Sequence, residues 1–162
     1  DLVNAVNMAS KNGVNCTLNS PEEVYLAEKL LKLNPFAGGV KFAKTGAEAM
    51  SIAIRIARAY SNKDKVAFSG YHGWSDWYLA TNLASSDNLN NHLLPGLSTQ
   101  GVPKGLKNTA IPFTYNSIED LKKVMNENPD IGVICIEGAR FVYPTKKFLN
   151  EIMKIAKKKI LL

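Results

Sequence analysis

Cysteine is scarce in this chain: Cys16 and Cys135 are the only two in 162 residues. They stand far apart, without a CxxC neighbour or a histidine at ligand spacing, so no metal site is expected. Cys135 lies in the apolar run Ile131-Gly132-Val133-Ile134-Cys135-Ile136, where a small thiol packs as a hydrophobe. A reducing, cytoplasmic setting suits both. No stretch approaches the roughly 18 consecutive apolar residues of a spanning helix, so no membrane partner is expected. Asp1-Leu2-Val3-Asn4 has neither the basic start nor the apolar core of a signal peptide. The missing first Met fits a trimmed or incomplete N-terminus. Several fingerprints are absent too: GxxxxGK[ST], GxGxxG and GxSxG all fail to occur, which argues against a P-loop, a dinucleotide fold and a serine hydrolase around His72.

The composition is that of a globular protein, 46% hydrophobic and 21% charged, with a net charge of +6. That charge raises polyanion binding. However, Lys154, Lys157, Lys158 and Lys159 cluster near the end and the other lysines are scattered. No basic stripe is interleaved with aromatics, so nucleic acid is not an expected partner and a solvated helix face is the plainer reading. No repeat, low-complexity tract or linker divides the chain, and residues 1–162 read as a single partial domain.

From Pro21 onward helical and strand-like runs alternate, the mark of an α/β layered fold. Ser20-Pro21-Glu22-Glu23 is a helix start with a capping box, and Asn34-Pro35 ends that helix. Val40 to Ala43 reads as a short strand. Ala47 to Tyr60 reads as a helix apolar over most of its circumference, which predicts burial between a sheet and a second layer. Val66-Ala67-Phe68 and Ile131 to Ile136 read as buried strands, Thr109 to Pro112 as a weaker one. Helices are expected over Ile118 to Asn126, capped by Ser117, and over Lys146 to Lys158. Ser85 to Lys107 lacks periodicity, and so long a loop is usually functional or mobile. Ile160-Leu161-Leu162 reads as the start of another core strand at which the sequence stops, so a truncated chain is expected.

Three places could carry chemistry. In Phe42-Ala43-Lys44-Thr45-Gly46-Ala47-Glu48 a strand, a glycine turn and a helix start aim unpaired N–H groups at one spot, which favours an anion such as phosphate. Taken alone the signal is weak, since many strand–glycine–helix junctions are only structural turns. Gly70-Tyr71-His72-Gly73-Trp74 puts an aromatic and an imidazole where a loop leaves a strand, suited to a flat ligand. The alternative is a core aromatic beside a histidine bonded to backbone. Ser75 and Asp76 read as a helix N-cap and a first-turn acid. Glu137 directly follows a buried strand, where α/β proteins place ligand groups, or it pairs with Arg140.

Taken in order and at these intervals, Lys44-Thr45-Gly46-Ala47-Glu48-Ala49, the following helix, Asp64-Lys65-Val66 and Tyr71-His72-Gly73 resemble the class III aminotransferases. Gly101-Val102-Pro103-Lys104-Gly105 resembles the gating-loop region of their glutamate-1-semialdehyde aminomutase branch. The likeness runs from about Ser20 to Leu162. It implies part of the large domain of a type I pyridoxal-phosphate transferase fold, a mostly parallel sheet sandwiched by helices. It also implies pyridoxal 5'-phosphate as cofactor, a small-molecule amino donor and acceptor, and a homodimeric parent that transfers an amino group or moves it within the substrate. By this resemblance Thr45, Gly46 and Ala47 cradle the cofactor phosphate, Tyr71 stacks on its ring with His72 alongside, and Glu137 holds the surrounding network. Two positions depart from the family: Lys44-Thr45 replaces the usual Ser or Asn-Ser, and Gly138 the usual Pro. The family's ring-nitrogen Asp and its later cofactor-bonding Lys have no counterpart here. No catalytic residue is therefore assigned, neither Lys41 nor Lys44 is promoted to that role, and the segment alone is expected to be inactive. The alternatives are a non-catalytic domain of the same fold and a general phosphate- or nucleotide-binding module.

Overall fold

The computed structural model describes residues 1–13, 17–139 and 142–159, the last two of these by backbone alone. Cys16, Arg140 and the expected strand at Ile160-Leu161-Leu162 lie outside the described residues. The described residues form two compact units, Asp1–Phe42 and Ala43–Leu162.

The first unit holds α1 (Leu2–Ser10) and α2 (Pro21–Leu33). The capping box of α2 forms as read: Ser20 Oγ accepts from Glu23 N and Glu23 reaches back to Ser20 N. Helix α1, capped by Asp1, was not legible in the sequence. No residue of either helix is buried, and Val40 to Ala43, read as a short strand, are not in strand conformation.

The second unit is built on three parallel strands, β1 (Lys65–Ser69), β2 (Ala110–Pro112) and β3 (Ile131–Ile136), in the order β2-β1-β3. Parallel strands need both faces covered, and the period-2 alternation of side chains supplies both. Val66 and Phe68 point to one face, packing with Ile54 and Ala57 of α3 (Gly46–Ser61) and with Trp77 and Tyr78 of α4 (Asp76–Leu79). Ala67 points to the other, beneath Leu121, Val124 and Met125 of α5 (Ile118–Glu127) and Phe148 of α6 (Lys146–Lys159). Between β1 and β3 the register slips at Gly132, whose added Cβ would meet Ser61 Oγ and Lys63 Cβ at 2.6 Å. Among the described residues no helix is long and apolar enough to cross a membrane.

Helix α3 departs from expectation. Only Ile54 and Ala57 are buried, while Ile56 is 57% exposed. One stripe of the helix meets the sheet, and within the second unit the side bearing Ile56 and Tyr60 stays exposed. The long segment 85–107 also differs from a free loop: Leu89 and Val102 are buried. The buried Asn82 side chain accepts from Leu89 N at 3.0 Å and donates to Leu97 O at 3.1 Å. Side-chain amides do here what a ladder does in a strand, and they leave no periodic signal.

Candidate functional site

Helix α3 begins at Gly46 with Thr45 as N-cap in extended conformation. Its capping box is complete: Thr45 Oγ1 accepts from Glu48 N at 3.2 Å, and Glu48 Oε2 accepts from Thr45 N at 3.1 Å and Lys44 N at 2.9 Å. Those bonds satisfy the amides of Lys44, Thr45 and Glu48. The Gly46 and Ala47 amides are first-turn donors with no intrahelical carbonyl to reach, and the Thr45 hydroxyl keeps its proton for a further acceptor. A Cβ at Gly46 would meet nothing within 4 Å, so the backbone there is open to approach.

Beyond β1 the chain turns sharply at Gly70 (φ 98°) and Gly73 (φ 85°), a region where only glycine sits without strain. Gly73 lies directly on the helix start: a Cβ there would come within 2.7 Å of Ala47 Cα and Cβ. The contact is reinforced nearby, where Ser51 Oγ donates to Ala47 O at 2.8 Å and lies 2.8 Å from Ser75 Oγ. Ser75 is the N-cap of α4, as read, yet its side chain makes no capping bond and turns to Ala47 O instead. The result is one cavity of about 470 Å³ lined by Thr45, Gly46, Ala47, Met50, Tyr71, His72, Gly73 and Trp74. Two of the three sequence constellations thus meet.

His72 borders this cavity but is only 4% exposed, and its polar edge turns inward. Nε2 lies 3.0 Å from Ser69 O, so it donates and Nδ1 is the acceptor; Cys135 Sγ is 3.6 Å from Nδ1. Burial pushes the Cys135 thiol up to about 12, so it stays protonated and can give its weak S–H bond to that nitrogen. The backbone-bonded arrangement of His72 is thus the one observed, and Tyr71 lines the cavity beside it.

Glu137 lines the neighbouring cavity, about 340 Å³, with Gly70, His92, Thr114, Tyr115 and others. It is tied to the first through backbone: Tyr71 N donates to Glu137 Oε2 at 3.2 Å. Its own N donates to Ser69 O at 3.0 Å, and its carbonyl accepts from Tyr115 Oη at 3.0 Å. The alternative partner Arg140 is outside the described residues. Sequence reasoning missed His92 and Tyr115. Among the described residues no cluster of three or more His, Cys, Asp or Glu could hold a metal.

Known proteins bear on this arrangement. No family model matches the chain. A glutamate-1-semialdehyde 2,1-aminomutase from Campylobacter hominis is 35% identical over all of this chain and 36% of its own length. A 3-aminobutyryl-CoA aminotransferase from Cloacimonas acidaminovorans is 29% identical over 93% of this chain and 34% of its own. The chain is homologous to these amino-group enzymes. It spans about a third of the length of the curated relatives it matches. Its fold is that of the pyridoxal-phosphate transaminases: a solved transaminase with pyridoxal phosphate bound superimposes with a TM-score of 0.83 at 24% identity, covering 99% of this chain and 38% of that one. An omega-transaminase from Sphaerobacter thermophilus gives 0.81 at 21%, covering 99% and 39%.

One electrostatic consequence concerns acid. Burial, the main cause, holds both His72 and His92 below the ordinary histidine value of 6.5; the Ser69 carbonyl and Glu137 partly offset this at His72, and the charge of His72 adds to it at His92. The native state thus binds these protons later than the unfolded chain does. Linkage then makes stability flat above about pH 6.5 and lower as pH falls through and below that value. Urea midpoints of the full-length protein at pH 7.5 and pH 5.5 should show a clear drop at the lower pH. A flat midpoint refutes the assignment of two neutral imidazoles, His72 buried and His92 half-buried.

Proposed function

We propose that this chain carries the phosphate-holding end and ring cover of a pyridoxal 5'-phosphate site, in an enzyme that transfers an amino group between small molecules or moves it within one. The observation that carries the reading is the single cavity shared by the Gly46–Ala47 amides and the Tyr71–His72 turn. The site's donors fit the group: two unengaged amides at a helix N-terminus, a hydroxyl with a proton to give, and a backbone no side chain obstructs.

When bound, the cofactor supplies an electron sink for chemistry at the carbon bearing the amino group. The chain's own residues bind and orient it. The Gly46 and Ala47 N–H groups donate to phosphate oxygens and Thr45 adds its hydroxyl. Tyr71 covers the ring, held by its backbone bond to Glu137. His72 stays neutral and locks the turn onto Ser69 O. No residue among the 162 is assigned the cofactor-bonding lysine or the ring-nitrogen aspartate. Amino-group chemistry, a homodimeric assembly and a cytoplasmic setting are therefore proposed for the whole protein, and the choice between transamination and migration stays within this reading.

Titration of the full-length protein with pyridoxal phosphate tests it. A new visible absorption band together with slower hydrogen exchange at Gly46 and Ala47 is expected. Exchange protection by inorganic phosphate without any band on adding the aldehyde points to a general anion module. Absence of both the band and the exchange protection overturns the phosphate assignment.

A further inference from the structure

We infer that His92 is a positioning residue for Tyr71: from the 85–107 segment it holds the end of β1 so that the Tyr71 ring keeps its place over the cavity. This rests on the proposed role of Tyr71, but its geometry stands by itself. Where β1 leaves the sheet, Gly70 and Tyr71 must find new partners for amides that no strand ladder serves. Gly70 N donates to His92 Nδ1 at 3.2 Å, and Tyr71 N donates to Glu137 Oε2 at 3.2 Å. Gly70 O accepts from Tyr78 Oη at 3.1 Å. Three side chains from three parts of the chain thus grip three consecutive backbone groups. The grip has no slack, because a Cβ at Gly70 would lie 2.5 Å from Glu137 Cβ.

His92 is itself well placed to hold. Its ring packs on Phe68 with centroids 5.5 Å apart. Its own N donates to Leu89 O at 2.9 Å, and Leu89 is fully buried and bonded to Asn82. With Nδ1 accepting, the neutral ring carries its proton on Nε2. The position of the long segment thus reaches the aromatic turn through this nitrogen lone pair, alongside the packing of the His92 ring on Phe68.

The test uses isosteric pairs in the full-length protein. Asparagine can place an acceptor near where Nδ1 lies, whereas glutamine reaches toward Nε2. In His92→Gln, peptides covering Ser69 to Trp74 should exchange amide hydrogens about tenfold faster than wild type at Gly70 and Tyr71, the scale of one lost hydrogen bond. His92→Asn should restore most of the protection, a rescue that loss of bulk alone does not explain. Pyridoxal phosphate affinity should fall by a similar factor in His92→Gln and recover in His92→Asn. Equal exchange in the two variants overturns the clamp. Faster exchange in His92→Gln with equal cofactor affinity in both overturns its influence on Tyr71. A wild type that takes up no cofactor counts against the function proposed above, while exchange still decides whether His92 holds the turn.

Discussion

Gly73→Ala is expected to lower the stability of the full-length protein by about 2–6 kcal/mol and to abolish cofactor binding. Two costs combine. A non-glycine residue at φ 85° carries backbone strain of about 1–3 kcal/mol. The new methyl also lands 2.7 Å from Ala47 Cα and Cβ, and overpacking of this kind costs about 1–3 kcal/mol. Because Ala47 Cα is main chain, the strain is relieved by lifting the Tyr71–Trp74 turn from the start of α3, which opens the cavity. A second substitution separates the causes. Ala47→Gly deletes one of the two clashing atoms and leaves the other, so Gly73→Ala/Ala47→Gly should recover only part of the loss. Urea midpoints for both variants check this, and full recovery would show that the turn rests on a side chain and not on the helix backbone.

Gly46→Pro should do the opposite: keep the fold and lose the ligand. Residue 46 is the first helical position and follows an extended Thr45 at φ -130° and ψ 158°, which is where proline is best accepted. No neighbour lies within 4 Å of its Cβ position. Proline there removes one amide that the helix itself does not use. A hydrogen bond to a charged group contributes about 1.5–3 kcal/mol, so pyridoxal phosphate affinity should fall on the order of 10- to 150-fold. Melting temperature should hold or rise slightly, since proline restricts the unfolded chain. Gly46→Ala keeps the amide and should bind close to normally. Equal binding by the proline and alanine variants would remove the Gly46 N–H from the site.

The parts that were legible in the sequence are those whose cause is local. The capping boxes at Ser20–Glu23 and Thr45–Glu48 close within three residues, so their formation hardly depends on what surrounds them. The apolar run Ile131 to Ile136 signalled a strand buried on two faces, and the sheet places it there. Helix α5 and its cap Ser117 likewise followed from short-range pattern. Burial of α3 did not, because an apolar circumference says a helix can be covered on every side, not that it is. His92 and Tyr115 carried no signal: the first lies in an aperiodic stretch, the second after a three-residue strand, and each reaches its backbone partner across 22 residues of sequence.

By itself, then, the amino-acid sequence determined the α/β alternation, the helices α2, α3 and α5 with their caps, and the buried strands β1 and β3. Tertiary structure alone decided that Gly73 rests on Ala47, that Glu137 takes Tyr71 N, and that His92 takes Gly70 N. The reason lies in chain geometry. A bond spanning three or four residues is set by local backbone angles, whereas one spanning 22 or 66 residues exists only after a packed sheet has brought its ends together.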